Sequence, residues 1–376
     1  MGTGRIKVDT MKVYFDNAAS TPLDKTVYHI MSPYLLEQYG IPSSHHGYGR
    51  DARAAIEISR ANIAKLLNAQ PEEIVFTGSG TESNHLAITS AINCAFIDHV
   101  ITSPFEHESV LATLNTVQRT HDVRVSYIRH DEHGNLDLKH LEYLLRTNTS
   151  NLVTVMHANN EIGNFNDIEA IGLLCEKYKA LFHTDAAQSI GHFQYDLKKS
   201  KVNFLSASAH KFHGPKGVGF LYCRKGSRLF ASSHGRVTDN IPGIIGLTKA
   251  LEVAYNDINF FGYQIQELKN RMISQLTALV PEIRFNGNSA VAGKSIPSIL
   301  SISLPPSPRN RSLMSILDHH EIAASGGSSL NSHVLKALGV DYSFDNIRFS
   351  FSKLNTIEEI DHVAGVIASV YQIVAA

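Results

Sequence analysis

Seven short runs of β-branched and aromatic residues, separated by helical patterns, restrict this chain more than any other feature of its sequence. The runs fall at 73–77, 99–102, 123–128, 152–157, 181–184, 204–206 and 219–223. Helical patterns occupy 81–93, 138–147, 167–178 and 243–256. Such runs favour strands. Strands alternating with helices imply an α/β fold with a mainly parallel sheet covered on both faces. From Tyr255 onward the character changes. A long amphipathic pattern at 260–279 precedes an apolar run at 295–303, a helix, a Gly/Ser-rich loop at 325–329 and a run at 347–351. The expected organisation is a leader or disordered start at 1–13, a large domain at 14–255 and a small α+β domain at 256–376, with the N-terminal segment packing on the small domain.

A chain of 376 residues, 43% of them hydrophobic, can bury a large core. The formal charge of −1 argues against nucleic acid or an anionic membrane held by bulk electrostatics. No stretch approaches the roughly 20 apolar residues that span a bilayer, and the start lacks the apolar run of a secretory signal. The three cysteines, Cys94, Cys175 and Cys223, are far apart and odd in number. A disulfide framework is not expected, and a reducing, cytoplasmic setting is. Twenty histidines suggest metal at first sight. They are scattered, adjacent pairs point to different sides of any regular element, and no H-E-x-x-H occurs, so no metal site is expected.

Several motifs carry chemistry. Residues 206–219 (SASAHKFHGPKGVG) place Lys211 on a short loop between two strands. A Schiff-base lysine must be held rigidly, and Ser208 and His210 beside it suit a phosphate. A plain strand-end lysine in a turn is the competing reading. In residues 182–191 (FHTDAAQSIG), Asp185 ends an apolar strand, where open α/β sheets bind ligands. It would pair with a cationic ring nitrogen or merely cap a helix. Residues 77–84 (TGSGTESN) follow a strand and open a helix, as a phosphate cup or a simple capped turn. His107, in EHESV, would stack on a flat ring and shuttle a proton, or sit on the surface before a helix. Asn159 and Asn160 bring amides to the same sheet edge. Arg348, in NIRFS, would fork onto a carboxylate or form a structural ion pair.

Taken together, these segments resemble the class V aminotransferase-fold family, and within it the cysteine desulfurases. The matching runs are 14–22 (YFDNAASTP), 42–50 (PSSHHGYGR), 76–84, Glu106-His107, 156–163 (MHANNEIG), 183–188, 208–219 and 348–350, in order along almost the whole chain. The resemblance implies the aspartate aminotransferase-like fold of pyridoxal-phosphate (PLP) transferases, with a mainly parallel seven-stranded sheet. It implies Lys211 as the cofactor-bearing lysine and proton carrier, Asp185 on the pyridinium and His107 stacked on the ring. Gln188 and Asn160 contact the ring oxygen or substrate, Gly80, Thr81, Ser208 and His210 hold the phosphate, and Arg348 takes the substrate carboxylate. It further implies a homodimer whose neighbouring subunit supplies a phosphate-binding threonine at the position of Thr238.

Two departures bear on function. The family carries a nucleophilic cysteine on a small-domain loop, whereas residues 324–335 (ASGGSSLNSHVL) contain none. Ser329 falls at that position when the loop is aligned from Ser325-Gly326; anchored on His333-Val-Leu335 instead, the loop is several residues short and the position is missing. Residues 232–236 replace a longer glycine-rich run. A serine hydroxyl cannot form the persulfide that desulfuration uses. The expectation is therefore a C–S or C–Se lyase acting on L-cysteine or a similar small amino acid, with no call for a sulfur-acceptor protein. An aminotransferase or epimerase of another amino acid, and a catalytically silent PLP-binding scaffold, are the alternatives.

Overall fold

A computed structural model describes residues 11–227, 240–307, 312–327, 332–341 and 343–371. Residues 1–10 of the expected leader, together with Thr238 and Ser329, lie outside the described residues. The chain forms two compact units. The large one comprises Ser20–Asn160 and Asn164–Ile258, and the small one Met1–Ala19, Glu161–Gly163 and Asn259–Ala376.

The strands in chain order begin with β1 (Val13–Tyr14), β2 (Ile74–Thr77), β3 (His99–Thr102) and β4 (Arg124–Tyr127). β5 (Asn151–Thr154), β6 (Leu181–Asp185), β7 (Phe204–Ser208) and β8 (Gly219–Cys223) follow. The last are β9 (Arg284–Phe285), β10 (Ile299–Leu304), β11 (Ile322–Ala323), β12 (Ser325–Gly327) and β13 (Asp345–Ser350). The helices of the large unit are α1 (Lys25–Leu36), α2 (Gly47–Leu66), α3 (Gly80–Ala95), α4 (Glu108–Thr120), α5 (Leu138–Arg146), α6 (Ile168–Lys177) and α7 (Ile241–Asn256). Nearly all of α8 (Ile258–Leu279), with α9 (Leu313–His319), α10 (His333–Ala337) and α11 (Ile357–Tyr371), belongs to the small unit.

In the large unit seven strands form one sheet in the order β2-β8-β7-β6-β5-β3-β4. The pairs from β4 through β7 are parallel; β8 runs antiparallel to both its neighbours. Every residue of β3, β5, β7 and β8 is buried, as helix cover on two faces requires. Successive side chains feed two separate cores. Val100, Leu152, Phe204 and Leu221 enter one with Ala87 and Leu114 of α3 and α4. Ile101, Val153, Leu205 and Phe220 enter the other with residues of α1, α2, α5, α6 and α7. That period of two is the strand signature seen in the sequence. The edge strand β4 is the exception, with Arg124 and Tyr127 exposed, and a charge there discourages further pairing.

The small unit holds an antiparallel sheet in the order β12-β13-β10-β9 and the parallel pair β1-β11. Phe15, just after β1, meets Phe349 and Phe351 edge-on at 6.1 and 5.3 Å. Gly163 takes a φ of +74° and lies against Ile299, 3.2 Å from where a Cβ would stand. Both contacts lie within the small unit, which takes in the N-terminal segment through Ala19 and also Glu161–Gly163, a stretch that the sequence reading kept in the large domain. The expected boundary at 255 falls inside α7, and the division comes at Ile258. The run 152–157 leaves the ladder after Thr154, while the run at 204–206 extends to Ser208. Among the described residues no helix is long and apolar enough to cross a membrane.

Candidate functional site

The site forms at the carboxyl ends of the parallel strands, where the backbone turns from strand to helix. β2 leads through Gly78 and Ser79 into α3, whose N-cap Ser79 accepts from the Glu82 amide at 3.1 Å. The Gly78 amide donates to Glu82 at 2.6 Å. With those groups satisfied, the first turn of α3 presents Gly80 and Thr81 at the positive end of the helix, which suits an anion. Gly219 abuts this turn: a Cβ there would lie 2.4 Å from Ala207 O and 3.2 Å from Gly80 N.

β7 and β8 are joined through Lys211. The loop is closed by Ala209 N donating to Val218 O and Gly214 N donating to Ala209 O. Thr21 pins it from outside, its amide and hydroxyl both donating to His210 O at 2.9 Å while its Oγ1 accepts from His213 N at 2.7 Å. Lys211 therefore springs from a backbone held on several sides. His210 lies beside it, and burial, then the charges of Lys211 and Lys216, lower its pKa to about 4. Its Nδ1 is buried without a partner among the described residues.

Asp185 ends β6 and is 4% exposed. Its Oδ1 accepts from the Ala187 amide at 2.9 Å and its Oδ2 from Asn84 Nδ2 at 2.7 Å. A buried carboxylate whose hydrogen bonds come from neutral groups suits a cationic ring nitrogen. His107 is the N-cap of α4, with Nδ1 accepting from Ser109 N at 3.1 Å. It caps the helix and also lines the cavity. Beside it Glu106 is fully buried, accepting from Ser103 Oγ at 2.6 Å and from the Met156 amide. Burial above all, with Asp185 adding, pushes its pKa up to about 8 against these hydrogen bonds.

A cavity of about 190 Å³ brings together nine of the residues singled out in the sequence: Gly80, Thr81, His107, Asn160, Asp185, Gln188, Ser208, His210 and Lys211. An amine, a carboxylate, an imidazole, amides and an anion-binding helix turn around one small cavity fit a flat, cationic heterocycle bearing an aldehyde and a phosphate. Asn84 and Met156 also line it and received no role from the sequence. Asn84 had a signal: four residues after Gly80 it returns to the same face of α3.

Arg348 lies in the small unit on β13. Its guanidinium donates to Asp16 Oδ1 and Ser325 Oγ, each at 2.8 Å. This ion pair is the structural alternative that the sequence left open. Cys94 lies in α3, Cys175 in α6 and Cys223 in β8, all free, and burial raises the thiols of Cys175 and Cys223, the latter to about 12.

The chain matches the family model described as aminotransferase class V over residues 13–363. Cysteine desulfurase IscS of Dictyoglomus turgidum is 35% identical over 379 residues, covering 96% of this chain and 95% of that protein. Cysteine desulfurase IscS of Methanosarcina thermophila is 36% identical over 386 residues, covering 98% and 94%. A solved structure described as a NifS-like protein superposes with a TM-score of 0.89 at 34% identity, covering 96% of this chain and all of that one.

Proposed function

This chain belongs to the class V aminotransferase family and is a PLP-dependent enzyme of the cysteine desulfurase kind, and from that premise we propose that it cleaves the C–S or C–Se bond of L-cysteine or a close analogue by elimination, without a persulfide-forming cysteine. The observation that carries this reading is the convergence of Lys211, Asp185 and His107 on one cavity in a chain whose three cysteines all lie elsewhere.

When bound, PLP supplies an electron sink for a carbanion at the substrate Cα. In this reading Lys211 holds the cofactor and its Nζ takes the Cα proton. Asp185 keeps the ring nitrogen protonated. His107 lies against the ring and donates a hydrogen bond to the departing sulfur. Gly80, Thr81, Ser208 and His210 hold the phosphate, and Gln188 and Asn160 contact the ring oxygen or substrate. Arg348 forks onto the substrate carboxylate, exchanging its bond to Asp16 for two to the ligand. Loss of the proton and of sulfide, followed by hydrolysis, turns L-cysteine and water into pyruvate, ammonia and sulfide. No reductant is needed. Alanine as product would require an added reductant or a thiol that accepts the sulfur. Cys175 and Cys223 are poor candidates for that thiol, since their burial disfavours the thiolate.

The reading includes a homodimer in which Thr238 of the partner subunit completes the phosphate site. Exposed apolar side chains on and after α1 support it, with Leu36 75% and Tyr39 70% exposed. Light scattering tests it, and a monomer that retains PLP would remove it. Three free thiols fit a reducing compartment such as the cytoplasm.

The decisive experiment incubates PLP-loaded protein with L-cysteine, follows the cofactor absorbance, and assays sulfide, pyruvate and alanine in one tube. Catalytic sulfide with equimolar pyruvate is expected. A spectral change that leaves the pyridoxamine form, or racemised amino acid, without sulfide would replace the proposal by transamination or epimerisation. A cofactor band unmoved by any amino acid would leave a silent scaffold.

A further inference from the structure

Asn84 and Ser109 have no part in the functional reading above, yet they join its two ring-facing groups. We infer that they are positioning residues: Ser109 fixes the proton of His107 on Nε2, and Asn84 holds the carboxylate of Asp185 in place. Asn84 is 1% exposed, and its Nδ2 donates both to Asp185 Oδ2 at 2.7 Å and to Ser109 Oγ at 2.9 Å. Ser109 Oγ in turn is 2.8 Å from His107 Nδ1. A continuous hydrogen-bonded path therefore runs from the carboxylate to the imidazole.

The direction of each bond follows from what each group can do. A carboxylate oxygen accepts, so the amide of Asn84 must present its nitrogen. A flipped amide would set Oδ1 against that oxygen. The orientation leaves Oδ1 buried with no partner among the described residues, which shows that the two acceptors dictate it. Ser109 Oγ accepts a hydrogen bond from Asn84, so its own single proton is free to point at His107 Nδ1. The backbone amide of Ser109 points there as well, at 3.1 Å, and an amide N–H can only donate. Nδ1 thus faces two donors and must be the unprotonated nitrogen of the neutral ring. The ring's own N–H is left on Nε2, the only ring nitrogen still able to donate to a bound molecule. Protonating Nδ1 would forfeit both bonds. A hydrogen bond from Nε2 to the departing sulfur in the functional reading needs this tautomer, so the catalytic consequence rests on that reading, but the geometry does not.

The test uses apoprotein labelled with 15N-histidine. Long-range proton–nitrogen spectra report which ring nitrogen carries the proton, and the His107 signals are those lost in His107→Gln. Wild type is expected to show protonated Nε2. Position 109 then gives a graded series. Ser109→Thr keeps both donors, Ser109→Ala keeps only the amide, and Ser109→Pro, in the first helical turn where proline is tolerated, keeps neither. The Nδ1-protonated share should rise in that order. Asn84→Ala should leave the tautomer on Nε2 and instead weaken PLP retention, measured by reconstitution of the absorbance band, on the order of tenfold, as expected for losing one hydrogen bond to a charged group. Protonated Nδ1 in the wild type, or a share unchanged in Ser109→Pro, would overturn the tautomer assignment. Unchanged PLP retention in Asn84→Ala would overturn the link to Asp185. Because the nitrogen spectra are taken without cofactor or substrate, they stand or fall independently of the proposed lyase reaction.

Discussion

Replacing Glu106 by glutamine should make the protein's stability less sensitive to alkali. Glu106 is fully buried beside the site, and its folded pKa is raised from 4.5 to about 8. Above pH 4.5 the unfolded chain releases this proton while the folded chain keeps it. The folded state therefore binds more protons, and stability falls as pH rises, until the folded group also ionises near pH 8. At roughly 1.4 kcal/mol per pH unit, the full span corresponds to about 5 kcal/mol. Between about pH 6 and about pH 8 the share is about 2 kcal/mol, because the slope halves as the folded pKa is reached. Glutamine keeps an acceptor for the Met156 amide and Ser103 Oγ and does not titrate. Urea unfolding of apoprotein, followed by far-ultraviolet circular dichroism, gives the stability of both proteins at each pH. Every other titrating group is common to both, so only the difference matters. Glu106→Gln should gain about 2 kcal/mol on wild type over that interval. A difference that stays constant with pH would mean that the folded carboxyl is already ionised at pH 6, and the argument from burial would fail.

Three further outcomes follow from geometry described above or from the same linkage. Lys269, 1% exposed in the small unit with Nζ donating to Ser295 Oγ and Ile296 O, has its pKa lowered by burial to about 7; here the unfolded chain binds more protons, so wild type should gain about 3 kcal/mol over Lys269→Met between about pH 7 and about pH 9.5, and parallel urea curves would refute this. Gly219→Ala should lower the thermal midpoint, costing about 2 kcal/mol or more, because its Cβ would lie 2.4 Å from a backbone oxygen; an unchanged midpoint would count against that packing. Arg348→Lys should raise KM for the amino acid by about tenfold or more while leaving the cofactor band intact, since an ammonium cannot fork onto a carboxylate; an unchanged KM would remove Arg348 from substrate binding.

The sheet was legible because its strands are buried on both faces. Runs such as His99–Thr102 and Gly219–Cys223 have no polar interruption, and their ends coincide with turn residues. Where the chain leaves the ladder but stays apolar, as at Val155 and Met156, composition does not mark the end. The loops that carry Gly80, Asp185 and Lys211 were legible because glycine, aspartate and lysine at strand ends are chemically specific. The bonds of Asn84 and Ser109 were not, although spacing does put Asn84 on the face of α3 that carries Gly80. Their importance lies in partners 101 and 25 residues away from Asn84, and nothing in local spacing announces such pairs. Thr21 is the same case, lying 189 positions before His210.

The three-residue stretch Glu161–Gly163 belongs to the small unit although the chain on both sides of it belongs to the large one. Counted with Met1–Ala19, this means that the polypeptide passes from one body to the other at four peptide bonds. Neither body is a contiguous gene segment. A truncation after residue 258 would therefore not liberate the large body intact; it would leave two orphaned pieces of the small one attached. Grafting the small body of a relative onto this chain, to change the amino acid it accepts, would need three coordinated exchanges. The first of the internal junctions is the bond joining Asn160, which lines the cavity, to Glu161. Recombination between homologues with a single crossover at residue 258 would pair a foreign small body with resident copies of Phe15 and Gly163. Such chimeras are viable only where the donor conserves the shape of the surfaces that receive those two residues.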